Sequence, residues 1–207
     1  MIELILTTTA FLQRQYGLNK NDILTEQELQ VYNQRPVSSL ARVGLRVALG
    51  KRIGVPPAEV QLTTLNAKPC EAKQQIYFSQ SHSRSLIAYA LSKEYDLGVD
   101  IEYSDREIPS QQNSIRNRFT LNHRNPFLQE WTCLEAKAKL QGVSVFALAK
   151  LQSAKDVSMV SFCYELPATF TWHHVDFQSA KRATKDTARD STSNGLWLAL
   201  AYQAKKN

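Results

Sequence analysis

Asp100, Glu102, Glu135 and Lys139 are the residues of this 207-residue chain whose types and spacing suit chemistry on a charged substrate. Gly98-Val99-Asp100-Ile101-Glu102 reads as a short strand. Side chains on a strand alternate faces, so Val99 and Ile101 share an apolar side while Asp100 and Glu102 share the other, about 6.6 Å apart. The run from Trp131 to Lys139 reads as a helix, in which Trp131, Glu135 and Lys139 lie four apart and form one stripe. Such a helix can bring a third carboxylate and a lysine to the first two. An oxygen-rich set of this kind suits a hard divalent cation such as magnesium, which binds few carboxylates, keeps some water and takes its other ligands from substrate phosphates. The lysine suits a phosphate or a proton. The pattern also fits a solvated acidic strand and an ordinary Glu135–Lys139 helix pair worth about 0.2–0.5 kcal/mol.

The two segments together resemble the motif pair of the 4′-phosphopantetheinyl transferases, in the longer form that activates peptide and polyketide synthases. There G-[VI]-D-[IV]-E is followed by W-[ST]-x-K-E-[AS]-x-x-K. Gly98 to Glu102 matches the first motif fully, and Trp131, Thr132, Glu135, Ala136 and Lys139 match the second. The resemblance implies an α+β fold in which two similar α/β halves form a pseudo-dimer with the active cleft between them. For this chain it implies an N-terminal half, 1–96, contacting coenzyme A, and a C-terminal half, 97–207, carrying the metal and catalytic motifs. The implied reaction moves the phosphopantetheine arm of coenzyme A to a serine of an apo-acyl carrier protein or peptidyl carrier domain. Magnesium would sit on the diphosphate, held by Asp100, Glu102 and Glu135. Glu135 would take the serine proton, directly or through water, and Lys139 would stabilise phosphate charge or orient Glu135. Family members of this length are usually monomers.

Further matches lie upstream. Asn66-Ala67-Lys68-Pro69 resembles the family's G-K-P loop, with Ala67 replacing a glycine, a poor exchange where positive φ is needed. Lys68 is the residue carried over. Ile76 to Ser83 resembles F-N-x-S-H-S, a strand ending in a polar turn; Ser79 stands where asparagine is usual, and Ser81, His82 and Ser83 are present. The resemblance implies that Ser81 and His82 contact the coenzyme. Imidazole chemistry agrees, since it titrates near neutrality and donates to phosphate oxygen, although a histidine after a strand is also commonly structural. Arg42 is the nearest match to an arginine on the coenzyme-contacting helix, with Arg46 one turn on. Guanidinium forks suit phosphate, and solvated helix arginines fit the same spacing. His123 and Leu134 replace a usual glutamate and lysine. These departures leave open a relative that binds coenzyme A or carrier protein without efficient turnover.

The elements that must position these residues follow from local signals. The first residues up to Gly17 read as a strand and a short helix. Thr25 and Glu28 form a capping box opening a helix that Pro36 ends, and Ser38 or Ser39 caps the next. In that helix Leu40, Val43 and Val47 share one face, and Gly50 stops it. Leu86 to Leu91 is an apolar strand, and a turn from Lys93 to Asp96 leads into the acidic strand. Two reversals then set His82 and Asp100 at the same end of neighbouring strands. Asn125-Pro126 opens the motif helix, Gly142 closes it, and Trp131 is expected in the core. Val157–Leu166, Thr169–Phe177 and Leu196–Ala204 read as strands, with a hydrophilic segment from Ser179 to Ser193 and a turn at Asn194-Gly195. His173 and His174 are adjacent on a strand, so their side chains diverge and cannot face one metal.

Composition bounds the remaining possibilities. A chain with 43% hydrophobic residues buries a real core. A net charge of +6 favours phosphates, an acidic protein, nucleic acid or a membrane surface without choosing among them. No aromatic-interleaved nucleic-acid motif accompanies the basic clusters, so nucleic acid is not an expected partner. No apolar run reaches the roughly 20 residues of a membrane span, and the start of the chain lacks a basic region of the secretory type. Cys70, Cys133 and Cys163 have neither disulfide-framework nor zinc spacing, which suits a reducing cytoplasm.

Overall fold

Strands β1 (Glu3–Thr8) and β5 (Leu86–Ser92) are apolar on both faces, so each has to be covered twice. The computed structural model describes residues 1–65, 68–148, 157–165, 171–175 and 195–204. In it Leu4, Leu6, Leu86, Ala88 and Ala90 point into one core, and Ile5, Ile87, Tyr89 and Leu91 into another. The first core is shared with β6 (Tyr95–Tyr103), β7 (Ser158–Glu165) and β9 (Gly195–Ala204), through Leu97, Val99, Ile101, Phe162, Leu198 and Leu200 among others. The second is covered by helix α4 (Pro36–Ile53), through Leu40, Ala41, Leu45, Ala48 and Leu49. On the far side, helix α6 (Phe127–Gln141) lays Ala136 and Leu140 on Ala199 and Ala201 of β9. The layers therefore run helix, sheet, sheet, helix.

Among the described residues one sheet has the order β2 (Leu62–Leu65), β3 (Lys68–Glu71), β4 (Ile76–Ser83), β5, β1, β8 (Trp172–Val175), and the other has the order β6-β9-β7. All neighbouring pairs are antiparallel. With helices segregated to the outer faces of antiparallel sheets, the fold is α+β, as expected. In each sheet an early strand pairs with a later one across a helical excursion: Ile5 faces Tyr89, and Asp100 faces Ala199. β8 lies late in the chain, yet it pairs with β1, His174 opposite Ile5.

The shorter helices are α1 (Thr9–Tyr16), α2 (Lys20–Ile23), α3 (Glu26–Tyr32), α5 (Gln112–Phe119) and α7 (Val145–Leu148). The Thr25–Glu28 capping box opens α3 as expected. Pro36 does not end that helix; it occupies the first position of α4, where its missing N–H costs nothing, and neither Ser38 nor Ser39 is the cap. Gly50 does not stop α4 either. It stays helical, its lack of a side chain leaving room for the Val55 carbonyl oxygen, which a Cβ would approach to 2.7 Å, and the left-handed Gly54 (φ 75°) closes the helix instead. Pro126, one residue later than expected, caps α6, and Gly142 ends it. No helix among the described residues is long and apolar enough to cross a membrane. Ala67, the segment from Ser179 to Ser193 and Asn194 lie outside the described residues.

Candidate active site

Gly98 is the reason the two motifs meet. A Cβ at this position would lie 2.0 Å from the Ala136 carbonyl oxygen and 2.5 Å from the Leu140 nitrogen, so the backbone of α6 rests directly on β6. The residues of α6 on either side of that contact, Glu135 and Lys139, are thereby delivered to Asp100 and Glu102. The four side chains line one cleft of about 300 Å³ together with Ala41, Gln80, Ser81 and His82. The α4 wall of the cleft is set by Tyr89, whose hydroxyl donates to the Ala41 carbonyl at 2.8 Å and fits against Gly44, where a side chain would collide with it.

One oxygen each from Asp100, Glu102 and Glu135 lies within 4.8 Å of the others. Asp100 is 2% exposed and Glu102 7%. Asp100 Oδ1 accepts from Ser81 Oγ at 2.8 Å and from Lys139 Nζ at 2.7 Å. Asp100 Oδ2 is buried and has no hydrogen-bond partner among the described residues. Glu102 Oε2 accepts from Ser83 Oγ at 2.7 Å, and Arg106 pairs with the other oxygen. Lys139 also donates to the Val99 carbonyl at 3.1 Å, so its hydrogen bonds go to the acidic strand. At an effective dielectric near 20, each pair of charges at such a separation costs about 3–4 kcal/mol. Among the described residues three carboxylates face two cations, Lys139 and Arg106, so with all three ionised one negative charge is left over. A buried acceptor without a donor, inside an excess of negative charge, fits an oxygen-bound divalent cation.

The residual charge acts on Glu135. Burial, then the Asp100 carboxylate, push the Glu135 pKa up to about 7, while Lys139 and Arg106 pull it down. Folded protein therefore holds this proton more tightly than unfolded chain does. Without metal, stability is expected to decline as pH rises from about 4.5 towards 7, because the unfolded state releases the proton first. Thermal unfolding across that window, in chelator, should show the decline in wild type and a flatter profile in Glu135→Gln. Magnesium affinity should rise over the same interval, since the ligand must lose its proton.

The other expected site residues divide. Ser81 and His82 reach the cleft; His82 is exposed there, whereas the Ser81 hydroxyl is turned to Asp100. β4 and β6 run side by side in the same direction, as two reversals require. Arg42, Arg46 and Lys68 do not line the cleft. Arg42 is held by the Tyr32 hydroxyl and ring and by Glu28. Arg46, 2% exposed, is turned inward: it pairs with Glu28 at 2.8 Å and donates to the carbonyls of Pro57, Ala58 and Val60. No fork remains for phosphate, which corrects the expectation for this residue. Arg46→Ala should cost about 1–3 kcal/mol in urea unfolding, from acceptors left unpaired. Lys68, on β3, has a buried amino group without a hydrogen-bond partner among the described residues; burial holds its pKa below the ordinary lysine value, and nearby Asp96 offsets part of that. Trp131 is half-buried, stacked on Phe127 and edge-on to Phe119, and not a full core residue. His123 is exposed. His173 meets the Tyr164 hydroxyl and His174 pairs with Glu3. Gln80, Ser79, Ser83 and Arg106 were not expected at the site. The signal for the serines was their alternation at 79, 81 and 83 on a continuing strand, which the polar composition disguised as a turn.

No family model matches the chain. Over 126 residues it is 29% identical to the 4′-phosphopantetheinyl transferase HetI of Nostoc sp., in an alignment covering 53% of this chain and 53% of that protein. The chain thus spans about half the length of the curated relative it matches. This similarity agrees with the superfamily that the two motifs resemble.

Proposed function

We propose that this chain is a 4′-phosphopantetheinyl transferase, which moves the phosphopantetheine arm of coenzyme A to a serine of an apo-acyl carrier protein or peptidyl carrier domain. The observation that carries the reading is the convergence of Asp100, Glu102 and Glu135 within 4.8 Å, around a buried oxygen without a donor. These three residues would hold magnesium, which when bound supplies Lewis-acid charge neutralisation to the coenzyme diphosphate. Glu135, directly or through water, accepts the proton of the carrier serine as its oxygen attacks the β-phosphorus. The bond from that phosphorus to the adenosine-bearing phosphate breaks, and adenosine 3′,5′-bisphosphate leaves. Lys139 holds Asp100 in place and presents a positive charge beside the reacting phosphates. His82, exposed in the cleft, donates to a phosphate oxygen of the coenzyme.

The reading extends to organisation. The boundary near residue 96 separates two similar halves of the longer, pseudo-dimeric type, each a sheet carrying one long helix, with β8 reaching across it. Lys68 and Arg42 belong to the coenzyme-contacting half. The enzyme acts as a cytoplasmic monomer. The test is incubation with coenzyme A, magnesium and several apo-carrier proteins, followed by weighing the carriers. A gain of one phosphopantetheine per carrier is expected. Coenzyme binding without any gain would mark a binding relative in place of an enzyme, and neither binding nor gain would overturn the reading.

A further inference from the structure

Three serines alternate on β4, and each meets the acidic strand β6 at a different rung. The Val99 N–H donates to Ser79 Oγ at 3.0 Å, Ser81 Oγ donates to Asp100 Oδ1 at 2.8 Å, and Ser83 Oγ donates to Glu102 Oε2 at 2.7 Å. All three serines are buried, at 7–8% exposure. β6 is an edge strand of its sheet, and β4 belongs to the other sheet. No backbone ladder joins them among the described residues, so the hydroxyls tie these two strands where the carboxylates project. Ser79 satisfies an edge N–H and sets the register. The other two hydroxyls each fix one carboxylate.

We infer that Ser83 is a positioning residue for the metal site: its buried hydroxyl holds the Glu102 carboxylate in the orientation that shares an ion with Asp100 and Glu135. Nothing in the chain's motif resemblance gives this serine a role, and the inference rests on the metal-binding reading of the site. The rival support for Glu102 is Arg106, whose side chain is 51% exposed. A half-exposed arginine is screened by water and pays the entropy of holding a long side chain in one geometry, whereas the buried Ser83 hydroxyl is shielded from water and orders only one short side chain. Ser83 is therefore the stronger restraint. A carboxylate released from it would leave its rotamer, and one ligand of three would no longer be preset. Partners of this kind typically contribute 10–100-fold to metal affinity.

Calorimetric titration of manganese into the full chain tests this, with wild type, Ser83→Ala, Ser83→Thr and Ser83→Cys compared after confirming cooperative unfolding. Ser83→Ala is expected to bind about 10–100-fold more weakly. Ser83→Thr, which keeps the hydroxyl, should restore affinity, and Ser83→Cys, a weak donor of similar size, should fall between. Should Ser83→Ala prove unfolded, the Cys and Thr variants carry the comparison. Wild-type affinity in both Ser83→Ala and Ser83→Cys, with normal binding by wild type, would overturn the inference alone. Absence of manganese binding by wild type itself would overturn the metal reading and this inference with it.

Discussion

Asp100→Asn is expected to lower phosphopantetheine transfer by about two to three powers of ten, the usual loss when one group stabilising transition-state charge is removed. The side chain keeps its shape, and the amide oxygen can still accept from Ser81 and Lys139, which meet Oδ1 at 2.8 Å and 2.7 Å. What disappears is the charge and the free acceptor at Oδ2, whose place is taken by a donor. The folded state should survive, with cooperative unfolding like that of wild type. A second readout follows from the electrostatics: Asp100 contributes to the raised pKa of Glu135, so its neutralisation should bring that pKa down from about 7 towards its ordinary range. Carriers are weighed for the first effect, and carboxyl resonances are followed through a pH titration for the second. Wild-type turnover by Asp100→Asn would remove this residue from the chemistry.

Gly98→Ala should destroy the site from behind. The new Cβ would lie 2.0 Å from a backbone oxygen of α6 and 2.5 Å from a backbone nitrogen, and neither can swing aside as a flexible side chain would. The helix has to move off the strand, which places the cost at about 3 kcal/mol or beyond, the upper end for overpacking. Because Ala136 and Leu140 also cover Ala199 and Ala201, the displacement opens that contact as well. Glu135 and Lys139 travel with α6, so magnesium affinity and transfer should both fall with stability. Gly54→Ala is the comparison: that position has open space and a φ of 75°, so only backbone strain is paid, about 1–2 kcal/mol. Chemical unfolding of the two variants should separate steric eviction of a helix from a local backbone penalty, and a Gly98→Ala variant as stable as Gly54→Ala would contradict the packing described here.

The parts of the site that were legible in the amino-acid sequence are those governed by local periodicity. Asp100 and Glu102 share a face because a strand has a period of two, and Glu135 and Lys139 share a stripe because a helix repeats near four. What lay beyond reach was decided by tertiary partners. Arg42 and Arg46 have identical spacing signals, yet Arg46 is drawn inward by Glu28 and three carbonyls that no local pattern foretells. Ser79, Ser81 and Ser83 read as a turn because hydroxyls far from any partner are turn-formers; opposite a strand edge and two carboxylates they extend the strand instead. Pro36 and Gly50 were misread for a related reason. Both commonly end helices, but a first-turn proline loses no hydrogen bond, and a glycine under a crossing loop is retained for its lack of a side chain. The pairing of β8 with β1 is likewise a long-range event: the segment around Trp172 reads as a strand, but nothing local names its partner.

The proposed chemistry requires one ion shared by oxygens from β6 and α6. The most direct measurement is anomalous diffraction from crystals grown with manganese and coenzyme A. A single strong peak is expected in the cleft, within about 2.0–2.3 Å of an oxygen from each of Asp100, Glu102 and Glu135, with a diphosphate oxygen completing the contact. A peak bound elsewhere, or a coenzyme seated in the cleft with no ion touching these three carboxylates, would contradict it.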